Sequence, residues 1–177
     1  MLKELMTKFF SIIFLLSAVL MPLNALEISA WEEKSDGEVT VTLSKTLQIN
    51  NVYLDRETIT PTVIFPKDEG LYENIAILKP EINQKFLACF EGVCELKNKA
   101  KKVTYNLISA RKVKDKNLVI AKVAFDGDIS ATFLVSSYEN KNKKIYRVTA
   151  PQDFKFLSSG YRNTFRKWLI NQVKDSL

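Results

Sequence analysis

The 177-residue sequence contains no histidine. That removes the side chain that most often moves protons near neutral pH, the Ser–His and Cys–His nucleophile pairs, and the commonest metal ligand. Cysteine is nearly absent as well: Cys89 and Cys94 alone, too few without histidine for a zinc site. Five glycines and five prolines exclude fibrous or low-complexity chains, and 46% hydrophobic residues exclude a disordered one. Ser158-Ser159-Gly160 lacks the flanking glycines of a nucleophile elbow. Glu32, Glu33, Asp36 and Glu38, joined by Asp68, Glu69 and Glu73, follow no calcium-loop spacing and read as a solvated strand edge. The sequence therefore reads as non-enzymatic, with no catalytic residue, cofactor or metal expected.

What is present begins with a leader. Lys3 and Lys8 precede an apolar run, Phe9 to Met21, then Pro22 and the small residue Ala25. This is the order of a secretory signal, with an apolar run too short for a comfortable membrane span. Cleavage after Ala25 is expected, although Leu23 is an imperfect minus-three residue; an uncleaved anchor is the competing reading. Removal of the leader leaves no integral span and implies a periplasmic or extracellular protein.

Residues 26–54 share an apolar rhythm with the chain eighty positions on. Ile28-Ser29-Ala30 returns as Ile108-Ser109-Ala110, and Val39, Leu43, Ile49 and Leu54 meet Val119, Val123, Ile129 and Leu134. Such self-similarity suggests one unit written twice. Strands are expected over 26–31, 38–44, 47–54, 62–65 and 72–78, with a helix opened by Pro80 and capped near Gly92. The second half repeats the plan: strands over 105–113, 118–125, 129–135 and 145–150. A polar loop is expected at 138–144, Pro151 in the role of Pro80, and a final helix capped by Ser158 or Ser159. The expected fold is α+β: two tandem units, 26–97 and 98–177. Each would be an antiparallel β-sheet with a C-terminal helix, the two packed as an intramolecular pseudo-dimer. Charge divides with them: residues 26–96 carry a net −7 and residues 97–177 a net +12. That asymmetry suggests a polyanion-facing half, or halves that attract each other.

Several of these segments resemble the stage V sporulation protein G (SpoVG) family of septation regulators. Leu26-Glu27-Ile28-Ser29 is similar to its opening strand, Thr42 to Pro66 to its central hairpin, and Tyr72 to Ala76 to its last strand. In the second half Tyr146-Arg147 resembles that strand, and Ser159-Gly160 with Arg162 the start of its final helix. The resemblance covers nearly all of the chain beyond the leader, as two copies. It implies a small α+β fold, no catalysis, dimerisation, nucleic-acid binding, and a part in septation and sporulation. Two features depart from it: the secretory leader, and Lys67-Asp68-Glu69 where the family has a basic loop. Binding carried over from the family would rest on the second unit.

Two sets of residues are candidates for a function. Lys141, Lys143, Lys144 and Arg147, with Arg162, Arg166 and Lys167 on the final helix, form a cationic set able to hold phosphates by charge and counterion release. Tyr138, Tyr146 and Tyr161 offer stacking surfaces; a solvated loop and helix face, docked on the acidic half, is the plainer alternative. Cys89 and Cys94 are expected to form a disulfide in an exported chain, provided that Gly92 turns the backbone between them. The function expected is that of an exported binding or structural protein of the bacterial cell envelope. It has a polyanion as partner, no small-molecule substrate, and a monomeric pseudo-dimeric or homo-oligomeric state. A nucleic-acid-binding septation regulator is the alternative, and an envelope hydrolase a remote one.

Overall fold

Strict apolar alternation makes the first hairpins. The computed structural model describes residues 25–34, 36–57, 59–67 and 74–177. In it β1 (Ile28–Glu33), β2 (Val39–Leu43) and β3 (Leu47–Asp55) form an antiparallel meander, with Val39, Val41 and Leu43 buried on one face. β4 (Thr62–Ile64) pairs with the far end of β3; β5 (Ile75–Ile77) and α1 (Pro80–Phe90) follow. The second half holds β6 (Tyr105–Lys112), β7 (Leu118–Phe125), β8 (Ile129–Asn140), β9 (Lys143–Thr149), β10 (Phe154–Phe156) and α2 (Ser159–Val173). A 3-10 turn, Lys174–Ser176, ends the chain. No helix among the described residues is long and apolar enough to cross a membrane. The leader, apart from Ala25, lies outside the described residues, as do Asp68, Glu69 and Glu73.

The fold is α+β, with two five-stranded antiparallel sheets, but neither half of the chain builds its sheet alone. β10 pairs with the start of β3, Phe154 opposite Ile49 and Phe156 opposite Leu47. β5 pairs with the start of β8, Ile75 opposite Ala131 and Ile77 opposite Ile129. The main-chain N–H of Leu157 then donates to Thr46, and that of Leu78 to Asp128. This corrects the expectation that each unit completes its own sheet. Residues 91–104, which contain the expected 97/98 boundary, form no helix or strand, yet strands cross that boundary in both directions.

The offset of eighty also needs correction. The corner Leu43–Leu47 corresponds in its pairing to Phe125–Ile129, so β2 and β3 map onto β7 and β8 at an offset of 82. An error of two preserves the in–out alternation, which is why the apolar rhythm did not expose it. Two further expectations change. The polar loop at 138–144 is the tip of a long hairpin, β8–β9, closed by Lys141 and Asn142, both at positive φ as a two-residue hairpin turn requires. Pro151 opens no helix; it precedes β10, which was not anticipated.

The buried residues form one continuous core. Phe154 of β10 belongs to the first sheet by hydrogen bonding, but its ring lies 5.4 Å from Phe125 and 5.7 Å from Phe133 of the second. Phe165 of α2 completes that cluster, 4.8 Å from Phe133. On the other side Trp31, Phe65 and Phe90 gather around α1, with Phe86 fully buried. Edge-to-face rings of this kind add to the burial term.

α1 begins with Pro80 at its first turn and Glu81 beside it, as a helix N-terminus favours. It ends in a Schellman motif: Gly92, at φ +80, donates to Cys89, and Val93 donates to Ala88. The reversal at Gly92 brings Cys94 back to Cys89, and the two form a disulfide. α2 is capped by Ser158, whose hydroxyl accepts from the Tyr161 N–H at 3.3 Å. Tyr161 packs against Tyr105 and donates its hydroxyl to the Val103 carbonyl at 3.0 Å. Burial, then the neighbouring Tyr105 and Asp126, push its phenol well above the ordinary tyrosine value.

Two outcomes follow for stability. Replacing both Cys89 and Cys94 by serine should cost about 2 kcal/mol in denaturant unfolding, the value for closing a short loop; an unchanged midpoint would show that the Gly92 turn holds the helix end unaided. The raised phenol of Tyr161 contributes stability that is fully present below about pH 10, the unfolded value, and is lost as pH rises toward the folded one. Tyr161→Phe should therefore flatten the alkaline decline in unfolding midpoint between about pH 9 and 11, while lowering stability at neutral pH by about 1 kcal/mol for the lost hydrogen bond. An alkaline decline as steep as that of the parent protein would contradict this assignment.

Candidate polyanion interface

The two faces of the second sheet differ in kind. Residues directly opposite one another in a β-ladder share a face, so the registers sort every side chain. Val119, Ala121, Val123 and Phe125 of β7, with Phe133 and Val135 of β8, are buried on the face covered by α2. The register then puts Tyr146 and Lys144 of β9 on that same face, opposite Ser137 and Glu139. The reverse, outer face holds Ile120 and Lys122 of β7 and Leu134, Ser136 and Tyr138 of β8. It also holds Arg147 and Lys143 of β9, opposite Ser136 and Asn140, and Arg111 and Ser109 of β6, opposite Ile120 and Lys122.

The cationic set expected from the sequence is therefore divided. Lys143 and Arg147 lie on the outer face and are exposed, with Lys141 at the hairpin tip between the faces. Lys144 lies on the helix side, where its ammonium donates to the Leu177 main-chain oxygen at 2.9 Å and stands 5.8 Å from the Tyr146 ring centroid. Arg162 and Arg166, four residues apart, share one flank of α2, Arg162 exposed and Arg166 half-buried. Lys167, the next residue, is turned to solvent. The structure thus brings together Lys141, Lys143 and Arg147, and separates them from the helix cations by the thickness of the sheet.

Arg111 and Lys122 join the outer face, and the sequence reading missed both. The signal was available: Lys122 is the only charge in the strand Leu118–Phe125, at a position of the outward parity. Among the described strand positions of this face there is no carboxylate. A groove of about 380 Å³ runs over it, lined by Val113, Leu118, Ile120, Thr132, Leu134 and Pro151 among others. Tyr138, on the same face of β8, is half exposed. Exposed cations can hold a chain of phosphates or carboxylates by charge, and an exposed aromatic ring on the same face can stack against planar groups.

Among the described residues, the acidic half shows no comparable cationic face. Glu32 and Glu33 end β1 in solvent, Glu38 pairs with Lys34 at 3.6 Å, and no group of acidic residues able to hold a metal ion occurs among the described residues.

Two carboxylates that the sequence marked only as turn residues are buried. Asp128, its side chain 4% exposed, accepts from the Leu26 N–H at 2.5 Å and pairs with Lys79 at 2.8 Å. One oxygen of Asp126 accepts from the Thr104 N–H and hydroxyl, both at 2.7 Å; Lys101 stands 3.5 Å from the other. Both belong to the corner between β7 and β8, where they tie in the segments that precede β1 and β6 and the residue that precedes α1. Compared with protein families, curated proteins and solved structures, the chain matches none.

Proposed function

We propose that this chain is a non-enzymatic, exported protein of the bacterial cell envelope. In this reading it binds an anionic polymer on the outer face of its second sheet. The observation that carries it is the distribution of charge on that face. Lys143 and Arg147 stand exposed on it, with Lys141 at the hairpin tip beside them, and no carboxylate lies among its described strand positions. An isolated lysine loop would leave counter-charges interspersed, as surfaces tuned only for solubility do. The absence of histidine from the sequence supports a binding rather than a catalytic role.

The same reading takes the two halves as one module written twice. The matching hairpin corners and the reciprocal placement of β5 and β10 support a pseudo-dimer within one chain. The resemblance to the septation regulators then suggests a place near the division site. It leaves nucleic acid as the other polymer the face would accept.

Binding to a fluorescent heparin fragment and to a single-stranded oligonucleotide tests the proposal. Neutralising about three contacts should weaken affinity roughly twentyfold between about 50 and 200 mM salt. Lys143→Glu combined with Arg147→Glu should abolish binding, and Arg162→Glu with Lys167→Glu should leave it within about twofold. Salt-insensitive binding, no binding, or loss only with the helix variant would each refute the assignment of this face. A preference for the oligonucleotide, together with retention in the cytoplasm, would favour the regulator reading over the envelope one.

A further inference from the structure

The expected cleavage point and the start of the fold coincide. Leu26 is fully buried, and its N–H donates to Asp128 at 2.5 Å. Its carbonyl accepts from Lys85 at 2.9 Å. Ala25, one residue earlier, contributes a carbonyl that accepts from Lys101 at 2.6 Å. Lys101 in turn lies 3.5 Å from an Asp126 oxygen that is buried and has no hydrogen-bond partner among the described residues.

We propose that the chain is matured by cleavage between Ala25 and Leu26, and that the α-ammonium so created closes a buried ion pair with Asp128. The inference rests on the export reading and deepens it. An endopeptidase of the export route adds water across the peptide bond. The C–N bond breaks, Ala25 departs with the leader as a carboxylate, and the Leu26 nitrogen becomes an ammonium. In the precursor that nitrogen presents one neutral N–H to a carboxylate. In the product it presents a full positive charge and three hydrogens to the same oxygen. A charge pair removed from water interacts far more strongly than one at the surface, provided that both partners are satisfied. Lys79 lies on the other side of Asp128, Lys85 and Glu27 flank the Leu26 carbonyl, and the Lys101–Asp126 pair stands next to them. Loss of Ala25 releases Lys101 from its carbonyl partner and leaves it free to approach the unsatisfied Asp126 oxygen.

The geometry points to this residue rather than to its neighbours. A chain beginning one position earlier would put its ammonium beyond Asp128 and keep an amide at Leu26. A chain beginning at Glu27 would leave Asp128 with Lys79 alone. The pair would also join positions 102 apart in sequence, fastening the start of the first sheet to the hairpin corner of the second.

The exported protein, purified from cells expressing the full chain, tests this directly. N-terminal sequencing and intact mass should show a chain starting at Leu26. Competitive acetylation near neutral pH then reads the state of its α-amine. An ordinary α-amine titrates at about 7.7–8.0. Held against Asp128 it should stay protonated to higher pH and react roughly tenfold more slowly than in the peptide Leu-Glu-Ile-Ser-Ala. In Asp128→Asn the rate should return to that of the peptide. The comparison of parent protein with peptide stands even where that variant does not fold. A chain starting at Leu26 whose amine reacts as fast as the peptide would overturn the ion pair and leave export intact. An exported chain starting elsewhere would overturn the cleavage point and the ion pair together while leaving export intact, and an uncleaved chain retained in the cytoplasm would overturn export as well.

Discussion

The structure depends on an exchange of strands. The edge of β3 is finished by Phe154–Phe156, and the edge of β8 by Ile75–Ile77. An unfinished β3 would expose main-chain donors and acceptors, whose burial without partners is costly. Phe154 shows how backbone and side-chain terms are joined, since its main chain completes one sheet while its ring fills the core of the other. Neither sheet is therefore independent of the other's sequence. A loss of packing around Phe133 or Phe165 would be felt in the pairing of β3, far away in the chain.

Much of this architecture is legible in the sequence, and the errors have physical causes. Alternation located most strands because one face of each sheet is buried, and Pro80, Gly92 and Ser158 marked helix ends because those positions impose particular backbone geometries. The alternation repeats every two residues and carries no absolute register, so a repeat offset wrong by two remained consistent with it. The three-residue strand β10 escaped because Phe154, Lys155 and Phe156 are too few to establish a period, and its partner is remote in sequence. The charged hairpin tip read as a loop because Lys141 lacks the glycine or asparagine usual where φ is positive. The strand exchange left no local trace, since nothing in residues 75–77 names residue 131 as a partner.

The same distinction applies to the candidate site. Composition located the cations in the second half, but only the registers show which of them share a face. Arg147 and Lys144 are three positions apart and point to opposite sides of the sheet; Arg111 and Arg147 are distant in the chain and lie on the same side. Electrostatic focusing depends on that placement rather than on the total. In the first half Glu27 is engaged by Lys85 and Lys97.

The late position of β10 has a consequence for biogenesis. The first sheet waits for a strand 105 positions beyond its partner Ile49, so one edge of β3 stays unpaired until the last part of the polypeptide has been made. Contacts this non-local form slowly. Until then that edge leaves its main-chain donors and acceptors to water or to another strand.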